Sequence, residues 1–290
     1  MREFSGLAGE LLSEPVDAEG RSTAELIAAA HERLKRNHIV LVGNFPVDSD
    51  RFVGFLGGFG PLMNGYAAHS DAHDDLHPQL NQVRYRRRQE GVKHSVHYVD
   101  GPLSPHSARA WADPRPSYFT MLMVDPGWQD LPDGQRGESV VMSWRHLFRA
   151  LAERDGEVFE EHFARLTSTP VTFHANNVKE PVSSLPLLYP LADAEDRYDV
   201  GVRMKQDMRE KVLELKDEIE DFDDYQRSLH YLLDACAEEG LQACFPMRAG
   251  DVLLMDNDRY GHGRRSTVGE RTVDGEAALN GRELWSTTLA

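Results

Sequence analysis

The chain has 290 residues, 40% hydrophobic and 28% charged, a globular composition with enough apolar surface for a substantial core. Its formal net charge of −16 argues against a polymeric nucleic acid as partner, because that binding depends on clustered Lys and Arg neutralising phosphates. Two cysteines make no disulfide framework, no run approaches the ~18 apolar residues of a membrane span, and no basic segment followed by an apolar one opens the chain. The expectation is a cytoplasmic protein acting on a small molecule.

Ser22-Thr23-Ala24-Glu25 reads as a capping box, in which the two end side chains satisfy each other's backbone N–H, and predicts an amphipathic helix to Asn37. His38 to Val42 is a short apolar run stopped by Gly43-Asn44, a buried strand. A second helix is expected from Asp50 to Leu56, closed by Gly57-Gly58. From Asn64 to Pro116 the sequence is polar and aperiodic, so loops and short strands are expected. Tyr118 to Val124 and Glu138 to Met142 are apolar runs that read as strands, Ser143 is placed to cap a helix reaching Leu151, and Pro170 to His174 reads as a returning strand. Lys205 to Gly240 is acidic and helical in pattern, with Val212, Leu215, Ile219 and Phe222 on one side, and is expected to pack outside the sheet as an insertion at about 205–240. Asp251 to Met255 and Glu283 to Leu289 are the last strand candidates.

Thirteen histidines make no single one informative. An ordered set is more telling: His106-Ser107-Ala108, Arg136-Gly137-Glu138-Ser139, the segment Arg248 to Asn257, His262-Gly263-Arg264 and Gly281-Arg282-Glu283-Leu284. From about Leu34 onward this order resembles the taurine dioxygenase and clavaminate synthase-like branch of iron(II)/2-oxoglutarate enzymes. The resemblance implies a mainly β chain with flanking helices, a double-stranded β-helix (jelly roll) forming one catalytic domain over residues 1–290. It implies Fe(II), 2-oxoglutarate and O2 as cofactors, with iron held on one face by two histidines and a carboxylate. His106 matches the first histidine and His262 the distal one. Arg282 matches the arginine that grips the distal carboxylate of 2-oxoglutarate, a task suited to a planar guanidinium, and Ser139 matches a hydroxyl that assists it.

Where the family carries the acid of its His-x-acid motif, this sequence has Ala108, which cannot ligate a metal. The family's halogenases carry Ala or Gly there, with chloride or bromide in the vacated place. A halide brings the same single negative charge as the lost carboxylate, which leaves the charge of the centre unchanged. The expectation is halogenation of an unactivated carbon. Two alternatives stand beside it: a hydroxylase that uses Asp100, in a rival register around His97-Tyr98-Val99-Asp100, and a metabolite-binding jelly roll without turnover. The loops before His106 are expected to wall the substrate pocket, which singles out Arg84, Arg86, His94, His97 and Tyr98. A solvated strand end or loop is the plainer account of the basic run Arg84, Arg86, Arg87, Arg88, and as a pocket wall the run would tilt the reading toward an anionic substrate such as a deoxyadenosine nucleotide. The acidic stretch Glu210 to Glu220 argues against an acidic carrier protein. Trp111 and Trp144 fit either stacking on a base or filling the core. Oligomeric state has no signature in the sequence.

Overall fold

The computed structural model describes residues 6–12, 14–63, 76–87, 96–172 and 185–290. A short helix α1 (Gly6–Leu12) and strand β1 (Val16–Asp17) precede α2 (Thr23–Asn37), whose capping box forms as the sequence predicts, Ser22 accepting from the Glu25 N–H. Next come β2 (Ile39–Gly43), α3 (Ser49–Leu56) capped by Asp48, β3 (Asn81–Arg84), β4 (Leu103–His106), β5 (Tyr118–Asp125) and β6 (Ser139–Ser143). Helix α4 (Trp144–Asp155) starts on the expected Ser143 cap.

Helix α5 (Glu157–Ser168) was not expected, and only Pro170–Val171 of the returning strand forms within the described residues, as β7. Short strands β8 (Leu185–Pro186), β9 (Leu188–Pro190) and β10 (Val200–Val202) lead to α6 (Met208–Lys211) and α7 (Phe222–Cys236). The helical stretch suggested by Val212, Leu215, Ile219 and Phe222 is broken: α6 tightens into a 3-10 turn over Val212–Leu215, and after further turns Asp221 adopts a left-handed conformation, φ 55°, directly before α7. All four residues are nevertheless buried in one cluster. The chain ends with β11 (Ala243–Phe245), β12 (Val252–Asp256), β13 (Tyr260–Arg264), the β14 (Glu270–Val273) and β15 (Glu276–Leu279) hairpin, and β16 (Glu283–Leu289).

Two sheets carry the architecture. The larger has the order β1-β2-β12-β5-β16-β3 and the smaller β11-β6-β13-β4. Side chains alternate between the two faces of a strand, and the clusters follow that alternation. Ile39, Leu41, Phe119, Met121, Leu253 and Met255 of the larger sheet meet Val141, Ala243 and Phe245 of the smaller in an inner core. The intervening Val40, Val42, Leu122, Val252 and Leu254 pack outward against α2 and α3. On the outer face of the smaller sheet, Met142 joins Trp144 and the residues of α4, α5 and α7. Trp144 is therefore core, 0% exposed, which settles the choice between stacking and packing for that residue. Among the described residues no helix is long and apolar enough to cross a membrane.

Candidate active site

The smaller sheet brings the two matched histidines face to face. In the antiparallel register His262 of β13 lies opposite His106 of β4 on one side and Val141 of β6 on the other. Directly paired residues share a face, and Val141 belongs to the inner core. Both imidazoles therefore point into the space between the sheets, with ring centroids 4.2 Å apart. From the larger sheet, Phe119 stacks on His262 at 3.7 Å and 11°.

The local sequence explains the close pairing. Gly261 and Gly263 flank His262, and a Cβ on the first would run into the Trp144 ring and on the second into the Leu103 carbonyl. Glycines in a strand mark such approaches. They also hid β13 from sequence reading, since Tyr-Gly-His-Gly-Arg has little β propensity.

Burial drives the pKa of both histidines below the ordinary value, most strongly for His262, where the neighbouring His106 adds to it. The rings are neutral, the form that ligates metals. His106 Nδ1 is 3.0 Å from the Ser104 carbonyl, and because a carbonyl only accepts, the Nδ1 proton is placed there and the Nε2 lone pair is left available. His262 Nδ1 is buried without a hydrogen-bond partner among the described residues. Two adjacent neutral imidazoles of this kind fit a divalent iron.

Ala108 follows β4, is 3% exposed, and belongs to the same inner cluster as Phe119. The segment is tied down on both sides. Ser107 donates its N–H to Met204 O at 2.8 Å and its hydroxyl to Val202 O at 2.6 Å. The Asn257 carboxamide contacts both the N–H and the C=O of Ala108. Among the described residues no group of three or more His, Cys, Asp and Glu could hold a metal. Asp100, the rival acid, is exposed, and its charge is felt by Tyr85 and Arg264.

Arg282, just before β16, is 5% exposed and forms no ion pair with any described residue. Burial first, and Arg264 second, depress its pKa to about 9. A guanidinium keeps its proton throughout the accessible range, so the depression measures how poorly the protein alone solvates that charge. The side chain lies along Gly137, where φ is +71° and a Cβ would sit 2.8 Å from Arg282 Nε. Arg282 lines a small pocket with Met123, Gln129, Arg136, Gly137 and Met247. Glu138 lines the same pocket and its charge offsets part of that cost, yet no described carboxylate hydrogen-bonds the guanidinium, and a buried cation so placed at a pocket wall fits a carboxylate ligand.

Ser139 is inward-facing and pairs in register with Arg264. It is absent from the wall of the Arg282 pocket, which its neighbours Gly137 and Glu138 line instead. Arg264, two residues along β13 from His262 and on the same face, places a second buried guanidinium beside Arg282. Sequence reasoning quoted Arg264 and Asn257 within motifs without giving them a role, and it passed over Phe119 as one more strand residue. The offset of two from His262 was the available signal for Arg264.

The expected substrate wall is only partly assembled. His97 comes within 5.7 Å of His106, ring to ring. Tyr98 is buried, donates to Asn81 Oδ1 at 3.1 Å and carries the Arg86 guanidinium 4.4 Å above its ring. Arg84 lies on β3 in register with Glu283. Arg87 pairs with Glu270 at 2.9 Å and so belongs to a surface ion pair. His94 and Arg88 lie outside the described residues.

Comparison with known proteins shows the family and the fold. The family model of the taurine catabolism dioxygenase TauD, TfdA family matches residues 7–285. The chain belongs to this family, one of iron(II)/2-oxoglutarate-dependent oxygenases. Among solved structures it is similar to an asparagine oxygenase in complex with Fe(II), 2S,3S-3-hydroxyasparagine and succinate (TM-score 0.62, 14% identity, 92% of this chain and 79% of that one). It is also similar to a putative alpha-ketoglutarate-dependent taurine dioxygenase from Burkholderia xenovorans (0.57, 14%, 95% and 86%), and to the non-heme iron oxygenase OrfP in complex with Fe and alpha-ketoglutaric acid (0.57, 15%, 92% and 82%). At these identities the likeness is one of fold, and the fold is the jelly roll that the motifs implied. No curated protein matches the chain by sequence.

Proposed function

We propose that this protein is an iron(II)/2-oxoglutarate-dependent halogenase acting on an unactivated carbon of a freestanding anionic small molecule. The observation that carries the reading is Ala108: it stands two residues after His106, packs inward in the cluster of Phe119, and offers no donor atom. The exposure of Asp100 weighs against the hydroxylase that would use it. The closeness of His106 to His262, with Arg282 buried at a pocket wall, weighs against a binding protein without turnover.

In this reading His106 and His262 hold the iron through their neutral rings, and the methyl group of Ala108 leaves room for chloride or bromide. Arg282 binds the distal carboxylate of 2-oxoglutarate, and Ser139 helps from the inner face of β6. When bound, iron with 2-oxoglutarate, O2 and halide supplies the oxidising chemistry that replaces a C–H bond by a C–halogen bond. Phe119 and the methionines of the inner core keep water from the rings. The substrate lies on the side of Arg86, His97 and Tyr98, where cationic and aromatic groups suit a phosphate with an attached base, such as deoxyadenosine monophosphate; Arg84 faces the other way, since its neighbour Val83 on β3 packs against the inner core. Selectivity for halogen over hydroxyl rests on how this wall positions the target carbon.

The test is mass spectrometry of reactions with candidate nucleotides and amino acids, run in chloride and then in bromide. Product heavier by the corresponding halogen supports the reading, and Ala108→Asp must abolish it. A product that gains only oxygen in both salts keeps the enzyme class and removes the halide.

A further inference from the structure

The geometry points to Asn257 as a positioning residue that fixes the backbone of residue 108 and so holds the third coordination position in place. This rests on the reading that residue 108 faces the metal. Asn257 is 0% exposed and follows the last residue of β12, in the turn that leads into β13. Its Oδ1 accepts the Ala108 N–H at 2.8 Å, and its Nδ2 donates to the Ala108 carbonyl at 3.0 Å and to the Pro116 carbonyl at 3.3 Å. Its own backbone N–H donates to Ser117 O at 3.0 Å.

Every polar hydrogen of this buried carboxamide is used, and all three side-chain bonds go to main-chain atoms of the segment after β4. The clamp therefore does not depend on which side chain residue 108 carries. It sets the direction of the Cα–Cβ bond at 108 relative to the turn that leads into β13, the strand that carries His262 five residues further along the chain. With alanine at 108 the consequence is a space of fixed size beside the histidines. With an acid there, the same clamp would aim the carboxylate at the metal.

No isostere reproduces this. Aspartate keeps the acceptor and loses both donations while burying a charge, and leucine loses all three bonds, leaving the Ala108 and Pro116 carbonyls and the Ala108 N–H without their partner.

A double-mutant cycle on Co(II) binding, with Co(II) as the probe in place of iron and no co-substrate present, tests this independently of turnover. In the Asn257 background Ala108→Asp should tighten Co(II) binding by about tenfold or more, and with Asn257→Ala the gain should shrink to about twofold or less. An equal gain in both backgrounds overturns the positioning role. No gain from Ala108→Asp in the Asn257 background shows instead that residue 108 does not face the metal, and the reading beneath this inference falls with it. Hydrogen exchange on the unsubstituted protein decides the matter should the Asn257 variants fail to fold. The Ala108 amide should then exchange as slowly as the amides of β5, and exchange at the rate of an exposed loop overturns the clamp.

Discussion

Two arginines are buried to nearly the same degree in opposite electrostatic surroundings. Arg259, 8% exposed at the turn into β13, donates to Asp199 at 2.9 Å, Asp193 at 2.7 Å and Asp256 at 2.9 Å. Desolvation alone would lower its pKa, and the three carboxylates more than reverse it. Arg282, 5% exposed at the pocket wall, has no such partner among the described residues, and its pKa is pushed down to about 9. Burial of a charge costs several kcal/mol unless it is paired, so the first region is built to be stable by itself, whereas a bound carboxylate would compensate the charge in the second. Depth of burial does not distinguish the two arginines; their electrostatic surroundings do.

Four measurements break or sharpen that contrast. The largest effect should come from Arg259→Ala, which strands the buried Asp199 carboxylate and should cost about 3–5 kcal/mol of unfolding free energy, read as a lowered urea midpoint with an unchanged m-value. Arg282→Ala should leave the metal-free protein as stable as before or more so, while the 2-oxoglutarate requirement rises by about a hundredfold, as loss of a charge-assisted bidentate contact worth ~2–3 kcal/mol demands. An unchanged requirement removes Arg282 from the co-substrate site, and a large stability loss makes it structural after all.

Gly137→Ala should act in the same direction with a smaller effect. The new methyl group meets Arg282 Nε at 2.8 Å, and at φ +71° the backbone is strained as well, so co-substrate affinity should fall by about tenfold. The smallest effect concerns pH. His106 and His262 have folded-state pKa values below the ordinary 6.5, so as pH falls the unfolded chain takes up protons before the folded one. Stability of the metal-free protein should therefore be fully present above about pH 6.5 and decline progressively below it. The double variant His106→Gln, His262→Gln should show a flatter profile over the same range, and an identical profile would place the responsible groups elsewhere.

Legibility in the sequence followed the range of the physics. Helix α2 was readable because its capping box is a contact three residues long, and β5 and β12 because continuous apolar runs mark strands buried on both faces. The break before α7 was not readable, since Val212, Leu215, Ile219 and Phe222 keep helical spacing through the 3-10 stretch and turns that end at the left-handed Asp221. Strand β13 escaped because its glycines answer to Trp144 and Leu103, residues far away in sequence. At the site, His106, Ala108, His262 and Arg282 were found through the order of short motifs. Asn257, Arg264 and Phe119 were not, because each acts through partners that only folding brings near.

The sequence by itself determined the family and singled out His106, Ala108 and His262 as candidates, since these are matters of residue identity and order along one chain. The tertiary structure decided which of the abundant charged and aromatic residues stand beside them. The β4 to β13 register sets the two rings 4.2 Å apart, the pairing of Ser139 with Arg264 puts a second guanidinium on the same face, and the Asn257 carboxamide holds Ala108 from 149 residues away. Such relations depend on strand register and on the closing of one sheet over the other, which are set by the whole core rather than by any local pattern.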